Sequence, residues 1–221
     1  MISLGLLAIV GQSGASWDRE AVLSSMENGK PLGRVEVFLK LLPGGSVRRK
    51  TICSFFLPSG KSYITDEEEW DALGVMKSAV RRSRTGEESG QTVASFTPTG
   101  AVLKFSSGQG AKGDEEVFDL PEGWRRGESC LAWLTGGKPT AGESSKGVRF
   151  DFDRLGWTEV TTVYKGKEAT LLRGQRIEAH VFEDSLGVTL HADDKGLPIR
   201  QTAKDEAGTV VWERISSVVH R

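Results

Sequence analysis

The chain has 221 residues, a formal net charge of -1, and 38% hydrophobic and 27% charged residues, with six tryptophans and nine phenylalanines. An isoelectric point near 6.3 leaves no global basic field of the kind that draws proteins to nucleic acid or to anionic membranes. The apolar content excludes disorder, because a folded chain of this length buries roughly 70% of the surface it exposes when unfolded, and the length suits one all-β domain or two small ones.

Residues 1–15 read as a secretory signal peptide: an apolar run from Ile2 to Val10, then the small residues Ser13, Gly14 and Ala15 that suit a cleavage site. The run is too short to span a bilayer. No Lys or Arg precedes it, and the other reading is a buried first strand. The leader predicts an extracytoplasmic mature chain, periplasmic or secreted, over 16–221, with no transmembrane span. No Cys follows the leader, so no lipoprotein anchor is indicated.

Glycine recurs at short intervals, dividing the chain into runs with strand character separated by turn residues. From Ala21 to Leu39, two apolar runs flank Asn28-Gly29, a dipeptide suited to a type I′ hairpin turn. The same segment also fits a short helix, with Asp18 as N-cap and Gly29 just past its end. Turns follow at Pro43-Gly44-Gly45 and Pro58-Ser59-Gly60. Asp66 to Gly74 is the least strand-like stretch, and its acidic start predicts at most one helical turn. Strand character resumes over Val75–Arg84, Gln91–Thr97 and Ala101–Ser106.

The loose stretches near 107–114 and 136–147 mark where a subdomain break would fall. Beyond them the hairpin pattern repeats, with turns expected at Lys165-Gly166-Lys167, Arg173-Gly174-Gln175, Asp194-Lys195-Gly196 and Glu206-Ala207-Gly208. The reading is an all-β, mainly antiparallel fold of about ten to twelve strands with at most one or two short helices. With so few helices to cover it, the sheet must curl on itself, as a strongly curved open sheet or incomplete β-barrel over 16–221.

Three fragments carry a family likeness. Asn28-Gly29-Lys30-Pro31-Leu32-Gly33, Tyr164-Lys165-Gly166-Lys167-Glu168-Ala169 with Val181-Phe182-Glu183, and Leu190-His191 through Asp193-Asp194-Lys195-Gly196-Leu197-Pro198-Ile199-Arg200 resemble exported bacterial β-meander domains found ahead of transglutaminase-like domains. More distantly they resemble the periplasmic lipoprotein-carrier fold. The resemblance implies an unclosed barrel whose concave side holds an apolar ligand, and it transfers no catalytic residues.

The chemistry-bearing residues are sparse. Cys53 and Cys130 have no metal-ligand spacing, so a disulfide in an oxidising compartment and two buried thiols are both open. Neither has the context of an activated thiolate, and the histidines His180, His191 and His220 come late in the chain. His191 with Asp193 and Asp194 has metal-ligating residue types, but two of them fall in a turn. The acidic runs at Asp66–Glu69 and Asp114–Glu116 lack calcium-loop spacing. The basic runs Arg48-Arg49-Lys50, Arg81-Arg82 and Arg125-Arg126 read as protection of edge strands, since adjacent strand residues point to opposite faces. No GxSxG, Walker A or HExxH motif occurs.

Trp124, Trp133 and Trp157 flank the loose stretches and are candidates for ligand contact, with core packing as the ordinary role of such residues. These observations together predict a non-enzymatic extracytoplasmic binding or scaffold domain. Its partner would be a lipid, another apolar ligand or an envelope protein, and no cofactor, metal or nucleic acid is implied. An accessory or degenerate relative of a transglutaminase-type hydrolase and a carbohydrate-binding module are the alternatives.

Overall fold

The computed structural model describes residues 17–27, 30–57, 60–107, 113–127, 139–205 and 208–219. The described chain holds fourteen strands: β1 (Arg19–Glu27), β2 (Lys30–Leu41), β3 (Val47–Leu57), β4 (Gly60–Trp70), β5 (Met76–Thr85), β6 (Glu88–Thr97) and β7 (Gly100–Ser107) come first. They are followed by β8 (Glu115–Asp119), β9 (Ser144–Asp151), β10 (Gly156–Leu172), β11 (Gln175–Asp184), β12 (Val188–Ala192), β13 (Pro198–Asp205) and β14 (Gly208–Val219). One 3-10 turn, Pro43–Gly45, is the only helical element among the described residues.

All fourteen strands belong to one antiparallel sheet, in the order β8-β7-β6-β5-β4-β3-β2-β1-β14-β13-β12-β11-β10-β9. Two meanders, β1–β8 and β9–β14, are thus joined where the first strand pairs with the last, as in Ala21 opposite Ser217. Among the described residues the sheet is not closed: β8 and β9 are its two ends. Fourteen strands exceed the expected ten to twelve, because segments read as loops continue the ladder.

The sheet curls because its apolar side chains need cover, and two clusters supply it. The first joins Ala21, Leu23, Val37, Leu39 and Val47 to Leu197, with Trp212 packed against it. The second joins Ala79, Ala94, Phe96, Ala101 and Leu103 on β5–β7 to Phe118, Phe150 and Trp157. Ring centroids lie 5.1 Å apart for Phe118 and Phe150, and 5.3 Å apart for Phe150 and Trp157. The hairpin at one end of the sheet is thereby packed onto strands at the other. Each large side chain buried this way contributes about 1.5–3 kcal/mol.

Beside this cluster, a short segment after β8 leans on β9. Arg126 forms a parallel bridge with Val148. The Gly127 N–H donates to the Val148 carbonyl at 2.8 Å, and the Val148 N–H to the Arg125 carbonyl at 2.9 Å. Among the described residues, one bridge and two hydrogen bonds therefore stand where a closed barrel would have a full ladder.

Several expectations are corrected. The helix considered for residues 19–28 is instead β1, paired through Glu27 and Lys30 with β2; Asn28 and Gly29 lie outside the described residues. Asp66–Trp70 is the end of β4, not a helical turn. Its acids face the basic runs of both neighbours: Arg49 to Glu68 at 2.6 Å, Lys50 to Glu67 at 3.5 Å, Arg81 to Asp66 at 2.8 Å and Arg82 to Glu67 at 3.2 Å. The basic runs of β3 and β5 consequently sit mid-sheet and protect no edge. Lys165-Gly166-Lys167 is a bulge inside the 17-residue β10, where the register shifts between Tyr164 and Gly166. Residues 1–15, Pro58-Ser59, Glu206-Ala207 and residues 108–112 and 136–138 of the loose stretches lie outside the described residues, and the rest of the second stretch leads into β9.

Candidate ligand cleft

Where the β9–β10 hairpin lies over β5–β8 it leaves a cleft of about 230 Å³. Register builds one wall: Trp157 and Phe150 are direct cross-strand partners, so their rings share a face. Phe96 from β6 and Trp70 at the end of β4 complete the aromatic lining. The hairpin tip is held by Asp151, whose Oδ1 accepts the N–H groups of Asp153 at 2.8 Å and Arg154 at 3.1 Å. This turn delivers Phe152 and Asp153 to Arg81.

Arg81 is the hinge of the charged lining. Its guanidinium donates to both oxygens of Asp66, at 2.8 and 3.2 Å, and to Asp153 at 2.7 Å, with the Phe152 ring 5.1 Å away. Burial works against that charge, but the hydrogen bond and attraction from Asp66, joined by Asp153, outweigh it and raise the Arg81 pKa. Arg49 pairs with Glu68 and lies 5.8 Å from the Trp70 ring, while Glu68 also accepts the Trp70 indole N–H at 3.2 Å.

Arg126 differs. Its Nη1 donates to the Met76 carbonyl at 2.5 Å, and no carboxylate pairs with it among the described residues. Burial lowers its pKa, with only the more distant pull of Asp71 acting the other way. Across Arg81, Phe152 and Asp153 from this cleft lies a second hollow of about 510 Å³, walled by Ile64 and Phe105 together with Ser83, Gln91, Thr92 and Ser106. The arrangement offers aromatic surface, paired charges and, among the described residues, one cation without a counter-ion, which suits binding of a molecule both apolar and acidic.

Of the tryptophans singled out from sequence, Trp157 lines the cleft and donates its indole N–H to the Phe118 carbonyl at 3.4 Å. Trp124 does not: it follows β8, and the Lys146 ammonium stands 5.4 Å from its ring. Trp133 and Cys130 lie outside the described residues. Sequence reasoning passed over Trp70, which ends the acidic stretch read as a turn, and Arg126. The opposite pointing of adjacent strand residues was the available signal, since Arg125 is exposed while Arg126 is half-buried.

Cys53 is a half-buried free thiol on β3. Burial first, then the Asp66 charge, pushes its pKa up to about 11, against the opposing pull of Arg81 and Arg49. Such a thiol is protonated at neutral pH and unsuited to nucleophilic attack. His191, Asp193 and Asp194 do not converge. Asp193 caps its own turn by accepting the Lys195 and Leu197 N–H groups and pairs with Arg214 at 2.6 Å, whereas burial and then Arg200 lower the His191 pKa. No group of three metal-ligating side chains occurs among the described residues.

Asp194 instead ends a polar chain. The Tyr164 hydroxyl lies 2.9 Å from His180 Nδ1, His180 Nε2 lies 2.9 Å from Asp194 Oδ1, and Lys167 Nζ donates to the same oxygen at 2.6 Å. Hydrogen bonds from Lys167 and then His180 lower the Asp194 pKa. Tyr164 is buried and packs 5.1 Å from Phe182, so the chain ties the middle of β10, beside its bulge, to β11 and to the turn that carries Asp194.

No family model matches the chain, and no curated protein matches it. Among solved structures, it is similar to a β-barrel-like protein of the domain of unknown function DUF1849 from Brucella abortus, with 8% identity, a TM-score of 0.56, and coverage of 93% of this chain and 98% of that one. A DUF1089 family protein from Pseudomonas aeruginosa aligns with 14% identity and a TM-score of 0.42 over 75% of this chain and 87% of that one. No helix among the described residues is long and apolar enough to cross a membrane. At 8% identity the likeness to the Brucella abortus protein is one of fold, and the described chain has a β-barrel-like antiparallel architecture.

Proposed function

We propose that the chain is a non-enzymatic, extracytoplasmic binding domain, exported by the leader at 1–15, that holds a lipid or lipid-like ligand on the concave side of its sheet. The observation that carries this reading is the cleft walled by Trp70, Phe96, Phe150 and Trp157, with the second hollow on the far side of Phe152. Apolar ligands are bound in concave sites with aromatic walls and a few placed polar groups, in volumes of roughly 300–1,000 Å³; the second hollow falls in that range and the aromatic cleft just below it. A resemblance to β-meander domains that precede transglutaminase-like domains fits a scaffold of this kind.

The protonated Cys53 thiol speaks against Cys53 as the nucleophile of a hydrolase of the transglutaminase type. None of the five described tryptophans is exposed, which leaves no ring platform for sugar stacking among them. The test is native mass spectrometry of protein purified from a cell envelope. The expected spectrum shows an added mass that disappears on organic extraction. Ligand-free protein, with a melting point unchanged by any added amphiphile, would overturn the reading.

A further inference from the structure

We propose that Arg126 is the anchor for the acidic head, carboxylate or phosphate, of the ligand held in the aromatic cleft. This rests on the binding function proposed above and specifies the chemistry of its occupant.

Two independent observations carry it. The first is charge balance within the cleft. Arg49 is matched by Glu68, Arg81 by Asp66 and Asp153, and the nearby Arg149 by Asp184 at 2.7 Å. Arg126 alone of these four has no carboxylate partner among the described residues, and its single hydrogen bond is to a neutral carbonyl. A guanidinium partly withdrawn from water pays desolvation without a compensating ion pair, so an anion placed beside it gains the full attraction.

The second is placement. Arg126 lines the cleft together with Phe96 and Trp157, and the Arg126–Val148 bridge with its two flanking hydrogen bonds holds its backbone to β9. Its position is therefore set before any ligand arrives. The guanidinium presents a planar fork that fits a carboxylate or phosphate through two parallel hydrogen bonds, while an apolar tail lies along the aromatic wall. A neutral amphiphile would fill the same wall and leave the cation unmatched.

The experiment titrates the wild-type chain with octyl phosphate, octanoate, octanol and inorganic phosphate, following tryptophan fluorescence and calorimetry. Octyl phosphate and octanoate are expected to bind at least tenfold more tightly than octanol, and inorganic phosphate more weakly than octyl phosphate. Arg126→Gln should abolish the preference for acidic heads, Arg126→Lys should keep part of it, and Arg82→Gln, at a solvent-facing pair, should leave it intact. Equal binding of octanol and the two acids by wild type would overturn the anchor while leaving the binding function standing. This comparison needs no variant to fold. Failure of every probe to bind overturns both. Inorganic phosphate binding as tightly as octyl phosphate would make Arg126 a site for the free anion and overturn the amphiphile.

Discussion

Cys53 is opposite Val35 on one side and Ile64 on the other, so its thiol lies among apolar neighbours with Asp66 close by. With a pKa moved from 9.0 to about 11, the neutral form is favoured by folding. The resulting stability is fully present below pH 9 and is lost as pH rises through about 11. In reduced folded protein, iodoacetamide should therefore modify Cys53 slowly at pH 8 and much faster near pH 11, read site by site by peptide mass spectrometry. Cys53→Ala should lose less stability than wild type between those pH values. A Cys53 as reactive at pH 8 as in the urea-unfolded chain would contradict the burial. Leu103 makes the complementary case: it is fully buried in the β5–β7 cluster, and Leu103→Ala should cost about 2–5 kcal/mol in urea denaturation through lost transfer energy and cavity formation.

Legibility at this scale follows the same logic. Trp157 was readable as a ligand-wall candidate because a large ring beside a loose stretch is conspicuous. Arg126 was not, since its role depends on which carboxylates lie near it in space, and sequence spacing does not state that.

At the scale of the strand, the acids of β4 looked like a solvated turn because four consecutive charged residues have no apolar alternation. What makes them a strand is their neighbours: basic side chains of β3 and β5 stand opposite in register, and each charge is answered across the ladder. Position decides the worth of each pair. Arg81 and Asp66 are both about one-quarter exposed or less, whereas Arg48 and Glu69 are about two-fifths exposed. Asp66→Ala should thus cost about 1–3 kcal/mol, leaving Arg81 with only Asp153, while Glu69→Ala should cost less than about 1 kcal/mol. Equal losses in chemical denaturation would refute the difference. The misread turn at Gly166 has a similar cause. Its φ of +108° is turn-like, but the chain continues in the same direction, and the extra residue bends β10 without reversing it. Hairpin turns and bulges use the same glycine, so the local sequence cannot separate them; the pairing of residues on either side does.

For the whole molecule, the curl was legible in outline, because a glycine-punctuated chain with scarcely any helix has only itself to pack against. The way its ends meet was not, since the single bridge between 125–127 and 147–148 leaves no turn or hairpin signature in the sequence. That meeting leaves no room for a side chain: a Cβ on Gly147 would stand 2.6 Å from both the Cα and the N of Gly127 and 3.0 Å from the Arg125 carbonyl. Neither side can yield by rotating a side chain, so Gly147→Ala must push the 125–127 segment off β9. The amides of Gly127 and Val148, which hydrogen-bond across this seam, should then exchange with deuterium markedly faster than in wild type, while amides within β1–β3 keep their protection. Gly156→Ala is the matched comparison, since its nearest contact would be 4.0 Å away, and it should leave the seam unchanged. Because Arg126 lies between the two seam hydrogen bonds, Gly147→Ala should also weaken octyl phosphate binding without altering Arg126 itself. Unchanged exchange at Gly127 and Val148 in Gly147→Ala would mean that the sheet's ends are not held together by this backbone contact, and that the cleft owes its shape to the aromatic cluster alone.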